Sequence, residues 1–271
     1  MSQSYIINGK IKVGGDISPA FRSFRYGDGF FETIRWTMGK PELGDLHFDR
    51  FFEAATEMEY EIPPGLDRQR LTVEMANLVK ENNCDASARI RLTAWRGEGG
   101  LFDGDNTLHY CIDCSPLNDN QNSPGEKGWD VGIFRDAAKP ANRFSRFKTN
   151  NYYPYYYAAR SAMKKLWLDV IVLNFAGRVS DSCIANVFIV REGKIITPPL
   201  SEGPVAGVMR RHLLQHFDII ESPVTVEELE TADEIFLSNS IRRIQWVRKL
   251  GDRIYTNNVS SQIYDRLLQT F

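Results

Sequence analysis

A polar stretch just before the middle of the chain divides the sequence into two halves. Residues 115–128 read SPLNDNQNSPGEKG, which combines proline, glycine, asparagine and charge and shows no apolar periodicity. With 271 residues the chain is long enough to form two domains. We therefore predict a smaller α+β domain at residues 1–115, a linker at 116–128 and a larger domain at 129–271.

Both halves mix strand and helix patterns. Asn8 and Gly9 stand between apolar β-formers in IINGKIKV and predict a hairpin, because both residues tolerate positive φ. Helical spacing of apolar residues predicts a helix in HFDRFFEAATEM and another at 66–82, and alternation predicts strands in ARIRLTAW and LHYCIDC. In the second half the predicted strands are WDVGIF, DVIVLN, ANVFIVREGKIITP and DEIFLS, and the predicted helices are 155–166 and 208–217. The fold class is therefore predicted to be α+β or mixed α/β.

Composition and charge exclude several functional classes. The formal net charge is −2 and no long basic run occurs, so the signature of a nucleic-acid-binding protein is missing. No run of about 18 apolar residues is present, and the first residues do not resemble a signal peptide. Four cysteines are too few for a disulfide scaffold at this length. We expect a cytoplasmic protein whose partner is a small molecule, with neither nucleic acid nor membrane involved.

Three segments carry residues that could perform chemistry. Lys148 opens KTNNYYP where a polar turn meets an aromatic cluster, and a desolvated lysine becomes a nucleophile. The stretch PLSEGPVAG leads into a helix near Gly207, where the amides of Val208 and Met209 could hold an anion. Asp181 lies in a predicted polar turn between two strands, and its carboxylate could face a heterocyclic nitrogen. Taken singly, each feature is also explained by a solvated lysine, an ordinary helix start or a turn.

Taken together, six segments resemble one enzyme family. They are RYGDGFFETIR at 25–35, HFDR at 47–50, KTNNYYP at 148–154, GRVSDSCIANVF at 177–188, PLSEGPVAGVMR at 199–210 and ADEIFLSNS at 232–240. Their order and spacing are similar to those of the fold-type IV pyridoxal phosphate enzymes, or class IV aminotransferases. This family includes branched-chain and D-amino acid aminotransferases and aminodeoxychorismate lyases. The resemblance implies a two-domain, D-amino acid aminotransferase-like architecture with the active site between the domains.

The resemblance also implies a cofactor, pyridoxal 5′-phosphate, and a role for individual residues. Lys148 is implied to bind the cofactor covalently and to act as the proton shuttle. Asp181 takes the place of the glutamate that pairs with the ring nitrogen in the family, and it is one methylene shorter. Tyr152, with Tyr153 one position away, is implied to contact the phenolic oxygen. The residues implied to hold the cofactor phosphate are Arg50, Gly207, Val208, Met209 and Ser240.

Substrate contacts are implied as well. Family members place the active site at a dimer interface, so a homodimer is implied, in which Tyr26 and Arg25 reach the other subunit's pocket. Arg25 and Arg178 could bind a substrate carboxylate, because a guanidinium pairs with it through two hydrogen bonds. Each arginine is equally explained by a surface ion pair.

Two reactions are compatible with the sequence, and both use the same cofactor-binding residues. As an aminotransferase, the enzyme would move an amino group between a branched-chain or D-amino acid and a 2-oxo acid. As an aminodeoxychorismate lyase, it would release p-aminobenzoate and pyruvate. Glu32 in GFFET is more similar to the transaminases and Cys183 in CIANVF to the lyases. We predict an aminotransferase, because it is the broader class.

Other readings have less support. His212 and His216 stand four residues apart on one predicted helix, but no acidic third ligand follows at a suggestive spacing, so no metal site is predicted. The GDG sequence at 27–29 does not supply a nicotinamide-binding glycine pattern. A non-catalytic binding protein on the same fold is the remaining alternative. The joint presence of Lys148, Arg50 and Asp181 argues against it.

Overall fold

The structure, a computed structural model, describes residues 3–14, 18–102, 104–117 and 127–271. The chain divides into two compact units, Met1–Asp119 with Phe147–Asn151, and Asn120–Arg146 with Tyr152–Phe271. Most of the predicted linker, residues 118–126, lies outside the described residues, so its role stays a prediction. No helix in the described ranges is long and apolar enough to cross a membrane.

The first unit contains a six-stranded antiparallel sheet. Its strands are β1 (Ser4–Ile7), β2 (Lys10–Val13), β3 (Gly29–Thr37), β4 (Lys40–Pro41), β5 (Ser87–Arg96) and β6 (Leu108–Pro116). Its helices are α1 (Arg22–Tyr26), α2 (Gly44–Glu57) and α3 (Arg68–Glu81). The strand order is β2-β1-β6-β5-β3-β4. The predicted hairpin is present, since Asn8 and Gly9 join β1 to β2 with φ of 49° and 81°.

Two helices bury the core of this unit against the sheet. The helical spacing in HFDRFFEAATEM corresponds to α2, whose Phe48, Phe51 and Ala55 are buried. In β5, Ile90 and Leu92 are buried and belong to the same cluster, because alternate residues of a strand point to the same face. The face of α2 that meets the sheet also carries His47 and Arg50, one turn apart, and both are buried.

A short segment distant in sequence extends this sheet at β3. The Phe31 amide donates to the Lys148 carbonyl at 2.9 Å, and the Asn150 amide donates to the Gly29 carbonyl at 2.8 Å. A Cβ at Gly29 would meet the Asn150 side chain, which explains the glycine at this close approach. This pairing places residues 147–151 in the first unit, although the predicted second domain, 129–271, includes them.

The second unit contains a nine-stranded mixed sheet. Its strands are β7 (Trp129–Lys139), β8 (Asp169–Asn174), β9 (Val179–Ser182), β10 (Asn186–Arg191), β11 (Lys194–Thr197), β12 (Ile219–Glu221), β13 (Glu234–Asn239), β14 (Arg243–Leu250) and β15 (Arg253–Ile254). Its helices are α4 (Tyr153–Lys164), α5 (Val208–His216), α6 (Val226–Thr231) and α7 (Asn258–Leu267), with short 3₁₀ turns at Leu200–Glu202 and Leu268–Thr270. The order is β12-β11-β10-β13-β14-β7-β8-β9, with β15 beside β14.

Strand β8 of this sheet is buried on both faces. All six residues of β8 are buried, as expected for a near-continuous apolar strand covered on both sides. Helix α4 packs Tyr155, Ala158 and Ala162 against residues of β7 and β8. Asp181 lies inside β9, opposite Val172 of β8, and not in the polar turn expected from the sequence. A strand can hold this carboxylate because its neighbours supply hydrogen-bond donors, described below.

Candidate functional site

Lys148 has a fixed backbone and a half-buried side chain in the first unit. Its ammonium nitrogen lies 4.7 Å from the centroid of the Phe31 ring. Phe31 belongs to β3 and is only 5% exposed. A lysine that rests on a buried aromatic face is partly desolvated and held in position. Lys148 is therefore not an extended surface lysine.

The same ring contacts a second cation. The Arg91 guanidinium lies 3.7 Å from the centroid of Phe31, and its Nε donates to the Thr93 hydroxyl at 3.2 Å. Sequence reasoning missed Arg91. The alternation of β5 indicates that Arg91 points to the opposite face from Ile90, but the register of β5 against β3 is not readable from the sequence. Two positive groups therefore meet at Phe31.

Arg50 belongs to a buried cluster of three charged or titratable residues. Its Nε donates to Glu32 Oε1 at 2.7 Å, and its Nη2 donates to Glu32 Oε2 at 2.6 Å. The Nδ1 atom of His47 lies 2.6 Å from the same Oε2. Glu32 on β3 and His47 on α2 are 2% and 0% exposed. The bidentate pair fixes the plane of the Arg50 guanidinium, as expected for carboxylate and arginine.

The charges of this cluster are set by burial and by Arg50. Burial alone would raise the pKa of Glu32, but the Arg50 guanidinium and the hydrogen bonds from His47 and Arg50 lower it to about 2. Burial lowers the pKa of His47, and the Glu32 contact offsets this only in part. A neutral His47 therefore donates from Nδ1 to Glu32. Its Nε2 is buried and has no hydrogen-bond partner among the residues described.

The depressed pKa of Glu32 predicts a specific loss of stability in acid. The carboxylate contributes fully above its ordinary pKa of 4.5, and this contribution is lost as the pH falls toward about 2. A shift of this size corresponds to a contribution on the order of 3 kcal/mol. Urea unfolding should show that Glu32→Gln costs less at about pH 3 than at about pH 6. An equal cost at both pH values would contradict the assignment.

Asp181 is a buried carboxylate of the second unit that accepts several hydrogen bonds through one oxygen. It is 2% exposed, and its Oδ2 accepts three hydrogen bonds. The donors are Lys139 Nζ at 2.8 Å, the Tyr155 hydroxyl at 2.7 Å and the Val205 amide at 3.0 Å. The other oxygen, Oδ1, is buried and has no partner in the described part of the chain. Because a buried acceptor without a donor is costly, Oδ1 indicates where a donor from a ligand would fit.

The tyrosine cluster on and before α4 separates into buried and exposed members. The Tyr152 hydroxyl donates to the Cys183 carbonyl at 3.1 Å, and its ring centroid lies 4.6 Å from that of Tyr155. Tyr153 is 66% exposed. The cofactor contact predicted for Tyr152 stays a prediction. Tyr155 is the member that contacts Asp181 directly, and Tyr152 packs beside it. Tyr155 and Lys139 were missed by sequence reasoning, since nothing in YYPYYY or at the end of β7 marks them.

The predicted phosphate-binding helix start is present at α5. Gly207 is its N-terminal cap residue and has no side chain to cap the helix, so the amides of Val208 and Met209 lie in a first turn without intrahelical acceptors. A Cβ at Gly207 would collide with the Asn186 side chain, whose Nδ2 donates to the Val205 carbonyl at 2.8 Å. Ser240 is half-buried in the turn after β13. These groups are of the type that binds a phosphate.

The three predicted substrate residues lie in different environments. Tyr26 lines a cavity of about 330 Å³ in the first unit, together with Arg22 and Arg96. Arg25 is exposed, and its Nε donates to the Pro19 carbonyl at 3.1 Å. Arg178 forms two hydrogen bonds with Glu202, at 2.7 and 2.9 Å. A role of Arg178 in binding a carboxylate stays a prediction, and it would require Glu202 to release the guanidinium.

Comparison with known proteins identifies the family. The model of the class IV amino-transferases matches residues 29–250. An aminodeoxychorismate lyase from Bacillus subtilis is 29% identical over 88% of this chain and 83% of its own length. A D-alanine aminotransferase from Staphylococcus epidermidis is 24% identical over 94% of this chain and 92% of its own length.

A solved structure agrees with these relatives. A hypothetical aminotransferase from Mycobacterium tuberculosis, in its PLP-bound form, matches with a TM-score of 0.83 at 21% identity, covering 98% of this chain and 98% of that one. The fold-type IV architecture predicted from the sequence is confirmed. The resemblance inferred from the six segments is confirmed as well, and this chain belongs to the class IV aminotransferase family of enzymes.

Proposed function

We propose that this chain is a pyridoxal 5′-phosphate-dependent aminotransferase. It moves an amino group between an amino acid, branched-chain or of D configuration, and a 2-oxo acid. The observation that carries the proposal is the buried Asp181 Oδ1, a carboxylate oxygen that lacks a donor among the described residues. A protonated ring nitrogen supplies such a donor. Family membership and the buried Arg50 support the same cofactor.

Different residues are proposed to bind different parts of the cofactor. Arg50, already oriented by Glu32, binds the phosphate through its guanidinium, and the uncapped start of α5 adds backbone amides. The other residues proposed to bind the cofactor phosphate are Gly207, Val208, Met209 and Ser240. Asp181 would bind the ring nitrogen, and the Tyr152 hydroxyl would bind the phenolic oxygen in place of the Cys183 carbonyl to which it now donates. Pyridoxal phosphate, when bound, supplies an electron-withdrawing ring that stabilises the charge left when the substrate loses its α-proton.

Lys148 has two tasks in this scheme. Its Nζ is the amine that would hold the cofactor covalently, and once a substrate amine had displaced it, the free nitrogen would take and return the substrate's α-proton. The Phe31 ring under Nζ limits its motion and excludes water from one side. A base confined in this way loses little conformational entropy when it reaches its proton.

Substrate recognition is proposed for arginine and tyrosine side chains. Tyr26, Arg25 and Arg178 are candidates for binding the carboxylate of the amino acid or oxo acid. A homodimer, in which Tyr26 and Arg25 serve the partner's pocket, and a cytoplasmic location complete the proposal. The second candidate function is that of an aminodeoxychorismate lyase, which the Bacillus subtilis relative supports.

Half-reactions with single substrates test the proposal and separate the two candidates. Protein loaded with pyridoxal phosphate should lose its yellow colour with L-leucine, L-glutamate or D-alanine, and the matching 2-oxo acid should accumulate in stoichiometric amount. Asp181→Asn should slow this conversion, because a neutral amide stabilises a protonated ring nitrogen less. Release of p-aminobenzoate from aminodeoxychorismate, with no response to the amino acids, would replace the aminotransferase by the lyase. Protein that takes up no cofactor would overturn both.

A further inference from the structure

Lys139 is a buried cation to which neither the sequence nor the proposed function gives a role. It is the last residue of β7 and is 5% exposed. Its Nζ lies 2.8 Å from Asp181 Oδ2 and 4.9 Å from the centroid of the Tyr155 ring. Lysine is rarely buried unless it is paired, because the ammonium loses its hydration. The position therefore needs an explanation.

The hydrogen bonds of Asp181 are all on one side. Lys139, Tyr155 and the Val205 amide converge on Oδ2. Oδ1 receives none from the described residues, although it is equally buried. Three donors on one oxygen fix the rotation of the carboxylate, so that Oδ1 points away from them. Oδ1 is therefore available to accept a hydrogen bond from a ligand.

The charges around this carboxylate are few. The titratable groups that face it in the described residues are Lys139 from β7, Tyr155 from α4 and the thiol of Cys183, which follows β9. Burial raises the pKa of Tyr155 well above its ordinary value, and Asp181 adds to this, so the hydroxyl stays a neutral donor. Burial lowers the pKa of Lys139, while Asp181 opposes the change. The 2.8 Å contact between Lys139 Nζ and Oδ2 makes Lys139 the counter-ion of Asp181.

A cation on Oδ1 would give this carboxylate two positive partners. In a buried site the repulsion between two such cations is weakly screened. We propose that Lys139 is a positioning residue that aims Asp181 Oδ1 at the cofactor's ring nitrogen and, by sharing the carboxylate's charge, limits how strongly the bound cofactor retains protons. The inference rests on the proposed function.

The test is a pH titration of the visible absorbance of the holoenzyme, at saturating pyridoxal phosphate. Lys139→Met leaves the negative charge of Asp181 without its counter-ion. The pH midpoint of the absorbance change should therefore rise by about one unit. Asp181→Asn leaves Lys139 uncompensated, and the midpoint should fall. The double variant restores the net charge, and its midpoint should return close to the wild-type value. Lys139→Arg keeps the cation and should also stay close to wild type.

Controls separate this role from a structural one. Lys194→Met removes an exposed lysine of the same unit and should not move the midpoint. Thermal unfolding of the cofactor-free variants measures the structural cost of each change separately. If Lys139→Met lowers the unfolding temperature but leaves the midpoint unchanged, the inference is wrong.

Two further outcomes are also decisive. If Lys139→Met does not fold, the double variant compared with Asp181→Asn still isolates the lysine, and its midpoint must be the higher of the two. Equal midpoints in that comparison would overturn the inference. Wild-type protein without a visible cofactor band would overturn the proposed function itself, and the inference with it.

Discussion

Replacing Lys148 with alanine is expected to lower kcat for amino-group transfer by about 10⁴-fold, the upper end of what a positioned base contributes. The variant loses both the nitrogen that binds the cofactor and the base that moves the α-proton. Steady-state assays with the best amino donor measure the loss. The fold should survive, because the hydrogen bond from Phe31 goes to the Lys148 carbonyl, which alanine retains.

A matched control for this change is available on α4. Lys164 is exposed, so Lys164→Ala removes a lysine without touching the proposed site and should keep the wild-type kcat. Circular dichroism and unfolding should be alike for both variants. Lys148→Ala protein that is folded and keeps kcat within about tenfold of wild type would exclude Lys148 as the reactive lysine.

Removing Arg50 should weaken cofactor binding by about 2 kcal/mol, or about 30-fold in Kd, the value expected for a charge-assisted phosphate contact. The single change is hard to interpret, since Glu32 would be left buried with the hydrogen bond from His47 but without its charged partner, which destabilises the fold. The double variant Arg50→Met/Glu32→Gln removes both charges together. Its loss of cofactor affinity should persist while its stability recovers relative to Arg50→Met.

The control for this prediction is Arg68→Met. Arg68 lies on the neighbouring helix of the same unit, its side chain is 48% exposed, and it pairs only with surface carboxylates among the described contacts. Such pairs contribute little to stability. Cofactor affinity measured by fluorescence titration should be unchanged in Arg68→Met. An unchanged affinity in the double variant would move the phosphate site away from Arg50.

The helices and strands of the first unit could be predicted because the spacing of apolar residues along the sequence indicates them. The apolar spacing around Phe48 and Phe51 indicates α2, and the interval from His47 to Arg50 places both on one face. The partner of both side chains could not be predicted. Glu32 is on a strand, and its pairing with α2 depends on how helix and sheet pack, which no local pattern encodes.

The two lysines show the limits of sequence reasoning more sharply. Lys148 could be named because the surrounding segment resembles a family motif, whereas its membership of the first unit depends on pairing with β3. Lys139 lies five residues beyond the predicted strand WDVGIF, and the sequence does not distinguish it from an exposed lysine. Its burial follows from the packing of α4 and β9 around it. The polar turn predicted at Asp181 was wrong for the same reason, since tertiary donors satisfy the carboxylate inside β9.

The covalent assignment to Lys148 is tested most directly by trapping. Protein incubated with pyridoxal phosphate is reduced with borohydride, digested and sequenced by mass spectrometry. The account predicts one reduced phosphopyridoxyl group per chain, on the peptide that contains Lys148. A label on the buried Lys139 or on any other lysine, with Lys148 unmodified, would contradict it.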